Sequence, residues 1–262
     1  MPGDLRAPAR ALMLGDVVGE SGLQALETLL PVLQKEADFV IVNGENAADG
    51  FGLTEASFRR ILDAGADVIT TGNHIWEKRE FWQILEKDPR VLRPANYPEG
   101  CLGRGWVKIE KAGAEWLVIN LQGREMLFPI DCPFRTFDRL TQSAGDPFII
   151  VDFHAESTRE KESLGYYLDG RASLVAGTHT HIPTGDERIL PQGTGYITDL
   201  GMTGTRESII GMDSAACLER AKTQVFYRRP CAQGKGWIQG IAAEIDRKTK
   251  KTISITRIEI AS

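Results

Sequence analysis

Several residue types and patterns are scarce in this chain of 262 residues, and each scarcity excludes something. Cysteine occurs four times, at Cys101, Cys132, Cys217 and Cys231, and never as C-x-x-C. That spacing excludes a zinc ribbon or a thioredoxin-like motif. Four reduced thiols in a cytoplasmic protein are expected instead. No apolar run approaches the roughly 18 residues that a membrane span needs. The opening "MPGDLRAPARALMLGDVVGE" lacks the apolar core of a secretory signal, so none is expected. Positive charge is not in excess: 31 Lys and Arg face 36 Asp and Glu, for a net charge of −5. A surface that grips extended nucleic acid needs a basic stripe, which this balance disfavours. It leaves room for a small nucleotide held by metal ions. Histidine is also rare, with only His74, His154, His179 and His181.

What remains is the composition of an ordinary globular protein, 42% hydrophobic and 26% charged. The length suffices for one large α/β domain. Residues 1–10 read as a loose extension and 11–262 as a single domain, without repeats or linkers. Buried strands are expected at "ALML" (11–14), "DFVIVN" (38–43) and "ADVITT" (66–71). Helical spacing follows each, at 23–36, 54–65 and 77–89; Thr54 suits an N-cap and Gly65 a terminator. A hairpin is expected over 106–123 and a strand at 147–156. A helix over 157–170 opens on Ser157 and Glu160 as a capping box. Extended segments are expected at 172–181 and 188–201, then a helix at 213–224 and paired strands at 236–246 and 251–261. This order predicts two mixed sheets flanked by helices, an α-β-β-α sandwich.

Polar residues gather where the buried strands end. The first strand leads to Asp16, the second to Glu45 and Asn46, and the third to Asn73 and His74. The fourth reaches His154, and "ASLVA" runs into "GTHTH", with His179 and His181. The carboxyl edge of an α/β sheet is where ligands bind. Each residue singly also fits a plain role, as a turn residue, a cap or a hydrogen-bonded polar group. Five strand ends that all supply carboxylate, amide or imidazole point instead to a borderline divalent metal. More than four candidates, without cysteine, suit two ions sharing a carboxylate better than one closed zinc site. If H-x-H lies on a strand, both rings face one way; on a turning loop, each can reach a different ion.

The stretches "LGDVVGESG" (14–22), "IVNGENAADGFGLT" (41–54), "TTGNHIWEK" (70–78), "RPANYP" (93–98), "VINLQGR" (118–124), "VDFHAESTREK" (151–161), "GTHTHIPTGDERILP" (177–191) and "GYITDLGMTG" (195–204) carry a family likeness. In this order they resemble the calcineurin-type metallophosphoesterases, and within them the YmdB-like metal-dependent cyclic nucleotide phosphodiesterases. The resemblance runs from about residue 11 to about residue 211 and fades beyond "DSAACLERAK". It implies a dinuclear site hydrolysing 2′,3′- or 3′,5′-cyclic nucleotides by metal-hydroxide attack on phosphorus. Asp16, Glu45, Asn46 and His181 would hold one ion. Glu45, Asn73, His154 and His179 would hold the other, with Glu45 as the bridge. His74 would face the phosphate as general acid.

The chain departs from the wider superfamily in three places. Asp16-Val17-Val18 replaces the D-x-H opening, Glu45 replaces a bridging Asp, and Ile75 follows His74 where a carboxylate is usual. Fewer nitrogen donors favour iron or manganese over zinc, and Glu77 is the nearby candidate to orient His74. Arg206 reads as solvated, and Trp76 and Tyr97 as packing residues. Three readings stay open: the cyclic nucleotide phosphodiesterase, a phosphomonoesterase or short-RNA nuclease on the same metals, and a regulatory nucleotide-binding protein with little turnover. A homo-oligomer is compatible with all three.

Overall fold

The computed structural model describes residues 7–226 and 229–262. One sheet is built around β1 (Ala9–Leu14), β3 (Phe39–Asn43) and β4 (Val68–Thr70), which run parallel. On the other side of β1 lies antiparallel β12 (Gly236–Ile245), flanked by β13 (Thr252–Ala261) and β11 (Met202–Thr205). The short β2 (Asp16–Val17) closes the edge against β11. The second sheet has the order β5 (Trp106–Lys111), β6 (Ala114–Gln122), β7 (Phe148–His154), β8 (Leu174–Thr178), β10 (Gly195–Ile197), β9 (Arg188–Ile189). In it β6, β7, β8 and β10 are parallel, and the two edge strands are antiparallel.

The inner strands, such as β3 and β7, read as unbroken apolar runs because both of their faces are covered. Alternation survives in which core each residue enters. Leu12, Leu14, Val40 and Val42 pack with the helices outside the first sheet. Their neighbours Ala11, Met13, Phe39 and Ile41 enter the layer between the sheets. There Trp116 of β6 stacks on Phe39 at 4.8 Å and on Phe148 at 4.7 Å. Leu117, Ile119, Val151 and Phe153 form a third core outside the second sheet. Each such side chain contributes about 1.5–3 kcal/mol on burial. Three cores between four layers make the expected α-β-β-α sandwich.

Helix α1 (Gly19–Leu33) starts four residues before its apolar periodicity does, and residues 34–36 continue it as a 3-10 turn. Thr54 caps α2 (Glu55–Ala64) by accepting from Ser57 N, and Gly65 ends it at φ 124°. The helix expected over 77–89 is shorter: a 3-10 turn at Arg79–Phe81, then α3 (Trp82–Lys87). Helix α4 (Pro133–Thr141) and strands β2 and β11 are short and were not legible from periodicity. Ser157 caps α5 (Thr158–Tyr167), but the capping box is only half formed. The Glu160 carboxylate accepts from Arg124 N and Glu125 N instead. Helix α6 (Ser214–Thr223) is capped by Asp213, and β12 pairs with β13 as expected. Strand β1 already includes Ala9 and Arg10, inside the stretch expected to be loose; the rest of that stretch up to residue 6 lies outside the described residues. Among the described residues no helix is long and apolar enough to cross a membrane.

Candidate metal centre and active site

The two sheets bring their carboxyl edges together, and hydrogen bonds tie them there. Asp152, one strand position before Phe153-His154, is fully buried. It accepts from Asn43 Nδ2 at the end of β3 (3.0 Å), from Thr178 Oγ1 at the end of β8 (2.7 Å) and from Thr70 Oγ1 at the end of β4. Residues more than a hundred apart in sequence are thereby fixed as a floor below the candidate ligands.

On this floor stands His154, with no exposed surface. Thr178 donates its proton to Asp152, so its oxygen is left to accept from His154 Nδ1 at 2.9 Å. The proton then sits on Nδ1, and Nε2 points inward with a bare lone pair. Three further atoms meet it: Glu45 Oε1 at 3.0 Å, His179 Nδ1 at 3.0 Å and Asn73 Oδ1 at 3.3 Å. His179 Nε2 lies 3.0 Å from the Glu156 carboxylate, which places its proton outward and its Nδ1 lone pair inward. Burial holds both imidazoles neutral, His154 at about 3 and His179 lower still. The close His154–Glu45 approach is therefore not an ion pair. The bare lone pairs of His154 Nε2 and His179 Nδ1, facing each other at 3.0 Å, fit a bound cation.

A second group of donors adjoins it. Asp16 is buried in β2; its Oδ2 accepts from His179 N at 3.1 Å, while its Oδ1 has no hydrogen-bond partner. His181 Nε2 lies 3.7 Å from that Oδ1, its Nδ1 donating to Ile210 O at 2.9 Å. Asn46 anchors its amide nitrogen on Gly50 O at 2.9 Å and leaves Oδ1 buried without a partner. Unpartnered buried oxygens are costly, and a cation between Asp16, Asn46 and His181 would satisfy all of them. Burial raises Asp16 and Glu45 each to about 7. A positive ion would return both to the carboxylate form.

The "GTHTH" segment ends β8 at Thr178 and then turns as a loop. His179 and His181 have φ of 97° and 66°, in the left-handed region that costs energy for residues with a side chain. Asp199 stabilises this backbone. It accepts from Thr180 Oγ1 at 2.8 Å and is paired with buried Lys161 at 2.6 Å. The loop sends His179 and His181 to different donor groups. Gly72 is required by the same crowding: a Cβ there would lie 2.1–2.2 Å from the His154 ring and 2.3 Å from Glu45 Oε2.

His74 stands at the mouth, 26% exposed along its side chain. Its backbone N donates to Glu45 Oε2 at 3.3 Å, its Nδ1 lies 3.4 Å from Glu77 Oε1, and Phe51 packs edge-on against its ring. The structure thus gathers every sequence-predicted site residue at one edge. Arg206 is elsewhere, paired with Glu259 and stacked on Trp237. Trp76 and Tyr97 pack edge-on against each other. Sequence reasoning passed over Asp152, Thr178 and Lys161. Asp152 left one signal, a carboxylate inside a fully apolar strand on the same side as His154.

The model of the YmdB-like protein family matches residues 12–258. A curated relative from Bacillus subtilis (strain 168), the 2′,3′-cyclic-nucleotide 2′-phosphodiesterase, is 48% identical over 96% of this chain and 97% of the relative. Among solved structures, a hypothetical protein from Thermus thermophilus is 41% identical, with a TM-score of 0.92 over 97% of this chain and 99% of that one. A novel phosphatase from Mycoplasma pneumoniae is 32% identical at the same TM-score, over 97% of this chain and 94% of that one. With the fold, the gathered donors and a family match over nearly its whole length, the chain belongs to the YmdB-like protein family.

Proposed function

We propose that this phosphoric ester hydrolase is a dinuclear metal-dependent phosphodiesterase that opens cyclic nucleotides, 2′,3′-cyclic phosphates first and 3′,5′-cyclic phosphates second. One observation carries the metal reading: the bare lone pairs of His154 Nε2 and His179 Nδ1 face each other at 3.0 Å and converge with Asn73 Oδ1 and Glu45 Oε1. The substrate class is supported by the Bacillus subtilis relative. In this reading Asp16, Asn46 and His181 hold one ion, Asn73, His154 and His179 the other, and Glu45 both. Oxygen donors and neutral imidazoles without thiolate suit iron or manganese, with zinc a weaker fit. Since both sheets supply ligands, residues 11–262 act as one domain, which we place in the cytoplasm.

When bound, the ions supply Lewis acidity, which lowers the pKa of water and offsets charge on the phosphoryl oxygens. The protein does the rest. Thr178 and Asp152 keep His154 in one tautomer and orientation. Lys161 and Asp199 hold the strained loop that carries His179 and His181. His74, with Nδ1 beside Glu77, has Nε2 left to carry the proton that the departing alkoxide needs.

Elemental analysis of protein purified without chelator, beside Glu45→Ala, tests the site, together with hydrolysis of adenosine 2′,3′-cyclic phosphate. About two ions per chain, lost in the variant along with turnover, are expected. A metal-free protein that manganese does not activate overturns the proposal. Turnover of p-nitrophenyl phosphate with none of the cyclic nucleotide overturns the substrate class alone.

A further inference from the structure

His74 opens on one side into a cavity of about 660 Å³. Phe51 and Lys78 form one wall, and Arg220, Phe226 and Arg229 form the other, from α6 and the segment after it. Arg220, Arg229 and Lys78, the last paired with Asp49 at 3.9 Å, thus line the cavity with one carboxylate, Glu77, in a chain whose net charge is −5. The Arg220 guanidinium lies 4.8 Å over the Phe226 ring, and Arg229 Nη1 lies 3.9 Å from Cys217 Sγ. Among the described residues neither arginine is in an ion pair. Phe226 is 79% exposed, so its ring is accessible for stacking.

This wall is tied to the site. Ile210 O, just before α6, accepts from the candidate ligand His181, and Asp213 N donates to Pro230 O at 2.9 Å. Met212 pairs with Cys231 across the base of the segment. The cavity is thus held beside His74, and the metal centre lies on the other side of that residue's backbone contact with Glu45.

Guanidinium groups beside an exposed aromatic ring recognise a phosphate next to a base. In the phosphodiesterase reading, on which this inference rests, the reacting phosphate is at the metal centre. We infer that this cavity binds a second phosphate of the same substrate, so that the preferred substrate is a ribonucleoside 2′,3′-cyclic phosphate carrying a phosphate on its 5′ oxygen. That group occurs on a free 5′-phosphorylated nucleotide and at the 3′ end of a short RNA.

Calorimetry on the metal-loaded protein, using product-like ligands that need no turnover, tests it. Adenosine 3′,5′-bisphosphate is expected to bind about tenfold tighter than adenosine 3′-monophosphate, the effect of a charge-assisted contact. The ratio should fall to near one in Arg220→Ala/Arg229→Ala. It should persist in Arg10→Ala, at the opposite end of β1. Equal affinities in the parent protein overturn the inference, and so does a ratio that survives the double substitution. A dinucleotide with a 3′-phosphate separates the sources: tighter binding than the bisphosphate assigns the cavity to an RNA end, and equal or weaker binding to the free nucleotide. If the discrimination is present while no cyclic phosphate is hydrolysed, the phosphodiesterase reading fails and the second-phosphate site stands.

Discussion

His154 Nε2 lies 3.0 Å from Glu45 Oε1, and both side chains are almost wholly buried. Burial decides the protonation of each in opposite senses. It keeps the imidazole neutral down to about 3 and raises the carboxyl to about 7, as it does for Asp16. A group with a raised pKa holds its proton until pH reaches that value, and a cation must displace it. Manganese affinity of the metal-free protein should therefore fall as pH drops below about 7, with protons released on binding. The two carboxylates, not the histidines, set that slope. Calorimetry in buffers of different ionisation enthalpy measures it, and an affinity that stays flat from about pH 8 to 5 would contradict the assignment.

Gly72→Ala should disable the centre. Its Cβ would meet the His154 ring at 2.1 Å and Glu45 Oε2 at 2.3 Å, and both are fixed by other contacts. Overpacking of this kind costs about 1–3 kcal/mol. We expect a lowered melting temperature and a loss of bound metal greater than the stability loss explains. A variant with full metal content would show that the ligands have room to move.

Thr178→Val keeps the shape and removes the oxygen that accepts from His154 Nδ1. The imidazole loses its fixed tautomer, and Asp152 loses one of its three donors. Loss of such a supporting contact typically lowers metal affinity or activity about 10–100-fold. Titration of the stripped variant with manganese reads this directly, and parent-like affinity would remove Thr178 from the account.

His74→Ala separates proton donation from metal binding. Turnover of an alkoxide-leaving cyclic nucleotide should drop about 10²–10⁴-fold. A p-nitrophenyl diester, whose leaving group needs no proton, should lose much less, and metal content should stay at the parent level. Glu77→Gln should follow in the same direction more weakly, since its contact with His74 is 3.4 Å long. Equal losses on both substrates would assign His74 to binding the phosphate.

Much of this molecule was legible along the chain. Apolar runs such as "DFVIVN" and "PFIIVDF" read as covered strands because residues of both parities are buried there. The residues at their ends read as ligands because only a narrow set of side chains binds borderline metals. Both inferences use information spanning fewer than about ten residues. What lay beyond them was non-local or short. Helix α4 has too few turns to show a period, and β2 and β11 are two and four residues long.

By itself the sequence determined the succession of strands and helices along the chain, the edge at which polar residues gather and the chemistry of the candidate ligands. These follow from periodicity and residue type. Only the tertiary structure decided how the ligands are held. Asn43 and Asp152 meet across 109 residues, His179 and His181 are held at positive φ beside Asp199, and Arg220 and Arg229 arrive beside His74 from α6 and the segment after it. Such contacts join residues far apart in the chain, and no local pattern records where two sheets and a helix will bring their side chains together.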